Sequence, residues 1–360
     1  MDDVPAMAVS RPMVESAQTA RVTVHTTGDA FDRLKGEWNA IFDASRAELF
    51  FVSHSWQRLC WKHLGRGNLQ IVAVRANTGT LCGLIPFWLE DAPDGPTMRL
   101  GGAEDVSDYL DMIVLPGLEQ LVADRLLDFL LFDPAAPRWS KVELEYVPDS
   151  SPTLAALGEA AKIRGLDRTK ELHDICPVVP LPPTFSEYLS SLSASRRRSL
   201  LRKRRSALAC GTRWYKVVQG EPGIDAEIRS FFDLMSQSPA CKRDLLATAG
   251  IRAFLRDLLL DDSTEPRAEL IFLVTDNEKA AAVLQFVAGD RIMFYNSARR
   301  CQAAGSPGIV LLSFCIEDAI HRGFHHYDFL RGEEDYKYRL GGRDRATYRM
   351  SISRRTPLNP

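Results

Sequence analysis

Long apolar runs are missing from this chain. The longest candidates, Leu81–Leu89 and Gly308–Ile316, fall well short of the roughly 18 residues that a membrane-spanning helix needs. Paired cysteine motifs are missing too. Seven cysteines (Cys60, Cys82, Cys176, Cys210, Cys241, Cys301, Cys315) are scattered, odd in number and form no CxxC pair. That usage excludes a disulfide framework and a zinc knuckle, and points to a reducing, cytoplasmic setting. A net charge of −2 supplies no global field for nucleic acid. There is no GxSxG elbow and no GxxxxGK[ST] loop, so serine-hydrolase and P-loop chemistry are excluded. His321, His325 and His326 bracket Gly323 with no cysteine or paired carboxylate at ligand spacing, so no metal is expected. The first 20 residues lack the apolar core of a signal peptide, and a flexible tail is expected over 1–20.

What remains is an ordinary globular composition, 45% apolar and 26% charged over 360 residues, enough for two domains. In the second half, Thr212–Val218 reads as a strand. Two helical segments follow, then three β-rich runs separated by turn residues at Asp276-Asn277 and Gly289-Asp290. Gly308–Arg322 carries Ile309, Leu312, Ile316 and Ile320 at helical spacing. A short strand, a short helix and a last strand close the chain. The first half runs in the same order: a strand, two helices, strands separated by Asn77-Thr78-Gly79, a helix at Leu118–Leu131, a strand and another helix. Prolines in Ile175–Pro183 break regular structure between the halves. The expected domains are therefore 21–176 and 177–360.

An order of strand, two helices, three antiparallel strands, helix, strand, helix, strand is that of the GNAT acyltransferase fold. The expected class is α/β with mixed sheets, in two tandem GNAT-like domains. Particular residues carry a narrower resemblance. Phe51, Ser53 and Trp56, then Gly83–Phe87 and Ser107–Asp111, resemble the N-terminal half of CelD/BcsL-type acetyltransferases, which are tied to cellulose and exopolysaccharide production. Leu192–Leu208, Ser306–Gly308, Ala319 with Gly323, Tyr327–Lys337 and Tyr336–Gly342 resemble its C-terminal half. The Tyr327–Phe329 and Tyr336-to-Gly341 frame is also similar to that of the FemABX peptidyltransferases, which have tandem GNAT domains and use aminoacyl-tRNA.

The chemistry is expected around the helix start. Helix N-termini present free N–H groups and the positive dipole end to a diphosphate, and small residues let phosphates approach. The resemblance places the coenzyme A diphosphate on Gln302, Gly305, Ser306, Gly308 and Ile309, although Ser306-Pro307 sets the second glycine one residue late. A capped helix start, with Ser306 as N-cap and Pro307 at N1, explains the same residues without a ligand. Asn296 and Ser297, at the end of the central strand, are expected to offer backbone groups to the pantetheine arm. Acyl transfer needs a base, an oxyanion site and a proton for the leaving thiolate. Asp328 at a strand end is the first candidate for the base and Glu333 the second, Tyr336 serves the thiolate, and Lys337 matches the FemABX lysine and holds an acceptor phosphate or carboxylate. Surface ion pairs or helix caps are the ordinary alternative for each.

Seven basic residues fall between Arg196 and Arg205, and Leu189, Leu192, Leu200, Leu201 and Leu208 give that segment a partial apolar stripe. Arg198, Arg202 and Arg205 are the candidates there for an anion site. It would take a nucleotide-sugar or lipid-diphosphate substrate, an anionic membrane surface or tRNA; a solvated face is the plain alternative. The segment is short and poor in aromatics, which disfavours nucleic acid. Ser107–Met112 is expected either beside a cleft or as a loop with Asx-turn chemistry. The expected function is transfer of an acetyl or other acyl group from acetyl-CoA or another acyl-CoA to an amine or hydroxyl of a sugar-containing, glycan-precursor acceptor. The C-terminal half is expected to hold the donor and the first half to be a degenerate copy on the acceptor side. The alternatives are FemABX-like aminoacyl transfer and a non-catalytic scaffold with a membrane-peripheral basic helix.

Overall fold

Asp276 and Asn277 both adopt positive φ (51° and 62°), and the two strands they join pair antiparallel from Thr275 with Glu278 onward. That is the two-residue hairpin favoured by strand twist, with turn residues that tolerate the left-handed region. The computed structural model describes residues 20–45, 50–102, 106–238, 240–261, 267–300 and 305–354. In chain order the first elements are β1 (Arg21–His25), α1 (Ala30–Ala44), α2 (His54–Leu64), β2 (Asn68–Arg75), β3 (Leu81–Glu90), β4 (Thr97–Leu100), β5 (Ile113–Val114), α3 (Glu119–Phe132), β6 (Lys141–Pro148), α4 (Thr153–Ile163) and β7 (Asp167–Ile175). Then come β8 (Val178–Pro180), α5 (Phe185–Ser191), α6 (Ala194–Ala209), β9 (Arg213–Val218), α7 (Ile224–Ser236), α8 (Ala240–Ala247), α9 (Ile251–Leu260), β10 (Arg267–Thr275), β11 (Glu278–Ala288), β12 (Arg291–Arg299), α10 (Pro307–His321), β13 (His326–Asp328), α11 (Asp335–Arg339) and β14 (Ala346–Ser353).

Two units result: the first takes the chain up to Asp174 together with the segment from Ala346, and the second is Ile175–Arg345. The first contains a mixed sheet ordered β1-β2-β3-β4-β6-β14-β7, with β5 on β3. The second contains a sheet ordered β8-β13-β12-β11-β10-β9. Both copies share one signature. An antiparallel meander ends in a strand that pairs parallel with the strand after the next helix, β4 with β6 across α3 and β12 with β13 across α10. The fold is α/β with two sheets in two units, as the element order predicts.

The chain division at Ile175 lies at the start of the proline-bearing joint. The boundary 177–360 needs a correction, however. β14 is not the last strand of the second sheet but pairs antiparallel with β6 in the first, from Thr347 with Pro148 to Ser353 with Lys141. A strand of alternating burial can complete any edge whose register it fits, so its sequence does not say which sheet takes it.

In the second unit α10 is the central element. Val310, Leu311, Cys315, Ile316 and Ala319 pack in one cluster with Ile271, Leu273, Val283, Ile292, Phe294 and Tyr327 of the sheet. Each large apolar side chain removed from water there stabilises the unit by about 1.5–3 kcal/mol.

Candidate functional site

The parallel pairing of β12 with β13 ends at Met293 with Asp328, although β12 runs on to Arg299. The next amide, Phe329 N–H, donates to Pro177 O (2.9 Å). The two strands therefore part after Met293. At the same level β12 slips register against β11, with Leu284 opposite Asn296 and Gln285 opposite Phe294, so Tyr295 is a bulged residue. Bulges bend a strand and redirect its side chains, and they recur beside active sites. Asn296 and Ser297 follow this bulge, half-buried, with Ser297 N–H bonded to Asn296 Oδ1 (2.8 Å).

Helix α10 begins beyond the end of β12. Gly305 and Ser306 both take positive φ (80° and 60°), and Pro307 opens the helix at its first position. Ser306 stands at the N-cap position, but its hydroxyl makes no capping bond. The N–H groups of Ile309 and Val310 both bond to Ser306 O (3.0 and 3.2 Å). Among the described residues, a Cβ on Gly308 would meet nothing nearer than Arg299 Cδ at 4.0 Å, so none of them fills the space above the helix mouth. Gln302 lies outside the described residues.

Two clefts flank this mouth, and α6 borders both. One, of about 830 Å³, is lined by Lys203, Ser206, Thr212, Thr275, Arg300 and Gly305 among others. The other, of about 470 Å³, brings together Arg196, Ser199, Lys203, Ser306, Ile309 and Tyr336. Lys203 lies on the wall common to the two. Helix α6 is fixed in place by Arg204. Its guanidinium donates to Ser313 O and Oγ (3.1 Å each), pairs with Glu317, and lies over the rings of Phe185 (4.8 Å) and Phe314 (4.2 Å). That anchor turns Arg198, Arg202 and Arg205 outward. All three are exposed and line neither cleft. The α6 cations that reach the clefts are instead Arg196 and Lys203. The partial apolar stripe expected over this segment is buried at Leu192 and Leu200, with Leu189 packed against the same core, while Leu208 is 54% exposed. Leu200 was the usable signal, because Arg196, Lys203 and Arg204 all lie three or four residues from it.

The segment after β13 is organised by two buried charges. Asp328 is fully buried. Its Oδ1 accepts the Leu330 N–H (2.8 Å), across a turn where Leu330 takes φ 54°, and its Oδ2 is 3.6 Å from Arg291 Nη1. Lys337 is 2% exposed, and its ammonium donates to Leu330 O (3.3 Å), Arg331 O (2.6 Å) and Gly332 O (3.0 Å) while pairing with Glu334 (2.9 Å). Neither lines either of the two clefts, and both groups shape the loop after β13. Glu333 is exposed on that loop. Tyr336 is the member of the expected set that does line a cleft, together with Ser306 and Ile309 of the helix mouth. Its ring packs edge-on to Phe329 (6.1 Å, 87°), and burial, helped by the Glu334 charge, pushes its phenol above the ordinary tyrosine value. It is therefore a neutral O–H donor across the physiological range.

Elsewhere the expected residues are structural. Ser107 accepts from Trp56 Nε1 (3.0 Å), and Asp111 accepts from the Met112 N–H (2.8 Å) and from the Ser151 hydroxyl, all buried in the first unit. His325 and His326 face Asp290 at 3.6 and 3.4 Å. Among the described residues no group of three or more His, Cys, Asp or Glu is placed to hold a metal. No described helix is long and apolar enough to cross a membrane.

Residues 194–338 match a family described as "Acetyltransferase (GNAT) domain". The match starts with α6 and ends in α11, so it takes in the larger cleft, most of the smaller one and the Tyr336 loop. No curated protein sequence matches the chain. Solved structures share the fold across almost the whole length at low identity. FemX is 12% identical, with 92% of this chain and 96% of that one covered and a TM-score of 0.60. L-PGS from Bacillus licheniformis is 10% identical, with 89% and 93% covered and a TM-score of 0.57. A conserved protein of unknown function from Bacteroides thetaiotaomicron is 10% identical, with 92% and 100% covered and a TM-score of 0.58.

Proposed function

We propose that the chain is an acyltransferase that uses acyl-CoA, and that the donor lies along the helix mouth of the second unit. The observation that carries this reading is the position of the α10 N-terminus, open at Gly308, in one cleft with Tyr336 and beyond the point where β12 and β13 part. The positive end of the helix dipole favours a diphosphate there, together with the Gly308 N–H, the one N–H of the first turn that Ser306 O does not take. An amine or hydroxyl of the acceptor attacks the thioester carbonyl, a C–N or C–O bond forms, and the C–S bond breaks. The acceptor's proton leaves to water, and the thiolate takes a proton from the Tyr336 phenol, which burial keeps protonated until that moment. The acceptor is a sugar-containing amine or hydroxyl in exopolysaccharide or cellulose production, a reading supported by the resemblance of Ser306–Gly308 and Tyr327–Lys337 to CelD/BcsL-type enzymes.

Thermal shift tests the donor. Acetyl-CoA or coenzyme A at about 100 times Kd adds about 2.7 kcal/mol of stability and raises Tm. Gly308→Trp, which fills the open space above the mouth, removes that rise while leaving the unliganded Tm close to wild type. A chain that responds to aminoacyl-tRNA and to neither coenzyme A compound is an aminoacyl transferase instead. That reading draws on the cations of α6 and on the FemABX-like frame from Tyr327 to Gly341. No response to any donor leaves the scaffold.

A further inference from the structure

Helix α6 carries cations that the fold does not use. Arg204 is consumed in packing, whereas Arg196 and Lys203 face the smaller cleft and pair with no carboxylate among the described residues. The acidic residue on that cleft, Asp335, is held by Arg339 (2.5 Å), so it offsets Arg339 rather than either α6 cation. Ser195 and Ser199 add hydroxyl donors on the same wall. Arg196, Ser199 and Lys203 share one helix face at spacings of three and four, and Arg196 and Lys203 stand about 10 Å apart along the axis. The Arg196–Ser199–Lys203 face lines the same cleft as Ser306 and Ile309 of the helix mouth.

A diphosphate seated at the mouth accounts for the mouth and leaves the α6 wall without a ligand. Two uncompensated cations, with the Ser199 hydroxyl between them and Ser195 beside Arg196, match a phosphate monoester, which carries about −1.5 to −2 charges at neutral pH and three acceptor oxygens. We propose that the Arg196–Ser199–Lys203 face binds a phosphate monoester that the donor carries apart from its diphosphate, namely the 3′-phosphate on the ribose of coenzyme A. This rests on the reading of the donor as acyl-CoA. It adds that the protein selects the 3′-phosphorylated nucleotide against the same thioester without that group. It also assigns α6, which precedes the first strand of the second meander, to donor recognition.

Calorimetric titration with acetyl-CoA and with acetyl-3′-dephospho-coenzyme A tests this on the whole chain. Wild type is expected to bind the phosphorylated ligand about tenfold tighter or more, the scale of a charge-assisted contact. Lys203→Ala and, separately, the more exposed Arg196→Ala lower the preference to about twofold, with affinity for the dephospho ligand unchanged. Arg202→Ala, on the outward face, retains the wild-type preference. Equal affinity of wild type for the two ligands overturns the proposal while leaving the donor reading intact. So does a Lys203→Ala loss of the same factor for both ligands, because the lysine then serves the diphosphate. Failure of both ligands to bind wild type removes the donor reading and this proposal with it.

Discussion

Tyr336 and Lys337 are adjacent in sequence and opposite in role. One turn of helix sends the phenol to the cleft and the ammonium inward, onto three carbonyl oxygens and Glu334. Mutation separates the two roles. Tyr336→Phe removes one O–H that bonds to no other described residue, so the urea midpoint stays near wild type. If the phenol supplies the thiolate's proton, kcat falls about 10²-fold, the lower end of general-acid effects. Lys337→Met keeps the stem and removes the donors, leaving Leu330 O, Arg331 O and Gly332 O without them. It is expected to cost about 3 kcal/mol in urea unfolding, because buried acceptors then stand unsatisfied. A Lys337→Met protein of wild-type stability with abolished turnover would reverse the assignment and make the lysine a substrate-binding group.

Elements explain what the sequence made legible and what it hid. Hairpin turns at Asp276-Asn277, the proline joint and the long apolar helix are local signals, because turn chemistry and periodicity are written in adjacent residues, and α10 starts and ends within one residue of its expected span. The facing of α6 was not legible. A helix with seven cations and scattered leucines offers several equally plausible inner faces, and the choice is made by partners more than 100 residues away, Ser313 and Glu317. The burial of Asp328 was not legible for a related reason: a strand-end position says nothing of what lies beside it, and β8 pairs with β13 on the side away from β12. Arg204 is thus the residue on which the cationic wall depends. Arg204→Ala forfeits two hydrogen bonds, an ion pair and two ring contacts, and is expected to destabilise the second unit by about 2–3 kcal/mol in denaturant unfolding. The neighbouring exposed Arg205→Ala stays within about 0.5 kcal/mol. Equal effects of the two changes would mean that the helix is not anchored through Arg204.

The molecule as a whole distributes its ionisable groups unequally between the units. In the first unit Glu143 and Glu145 are 4% and 2% exposed on one face of β6, compensated by Arg99 (2.5 and 3.2 Å), Lys141 (2.9 Å to Glu143) and Arg349 (2.7 Å to Glu145). Burial by itself would raise Glu143, but Lys141, Arg99 and Ser351 outweigh it and hold the carboxyl below its ordinary 4.5. A lowered folded-state value means that this stabilisation is whole above pH 4.5 and is lost as pH falls through the folded value. In the second unit, which also buries Glu269 against Arg322 (2.8 Å), most of the groups whose titration is shifted are moved upward. Burial raises Tyr188, Tyr215, Tyr327 and Tyr336 above 10 and Cys315 above 9. A raised folded-state value means that the folded unit keeps protons the unfolded chain releases, so its stability is whole below pH 9 and erodes as pH climbs past 10. Five of the six tryptophans (Trp38, Trp56, Trp61, Trp88, Trp139) belong to the first unit, so their emission wavelength reports on it selectively. Acidification below pH 4.5 is expected to shift that emission to the red before the second unit loses its donor-dependent thermal shift. Above pH 10, tyrosinate absorbance should appear in one steep step, with the second unit unfolding, rather than as a gradual titration centred at the ordinary value. A gradual tyrosinate curve, or acid unfolding of the second unit ahead of the first, would refute this division of pH sensitivity.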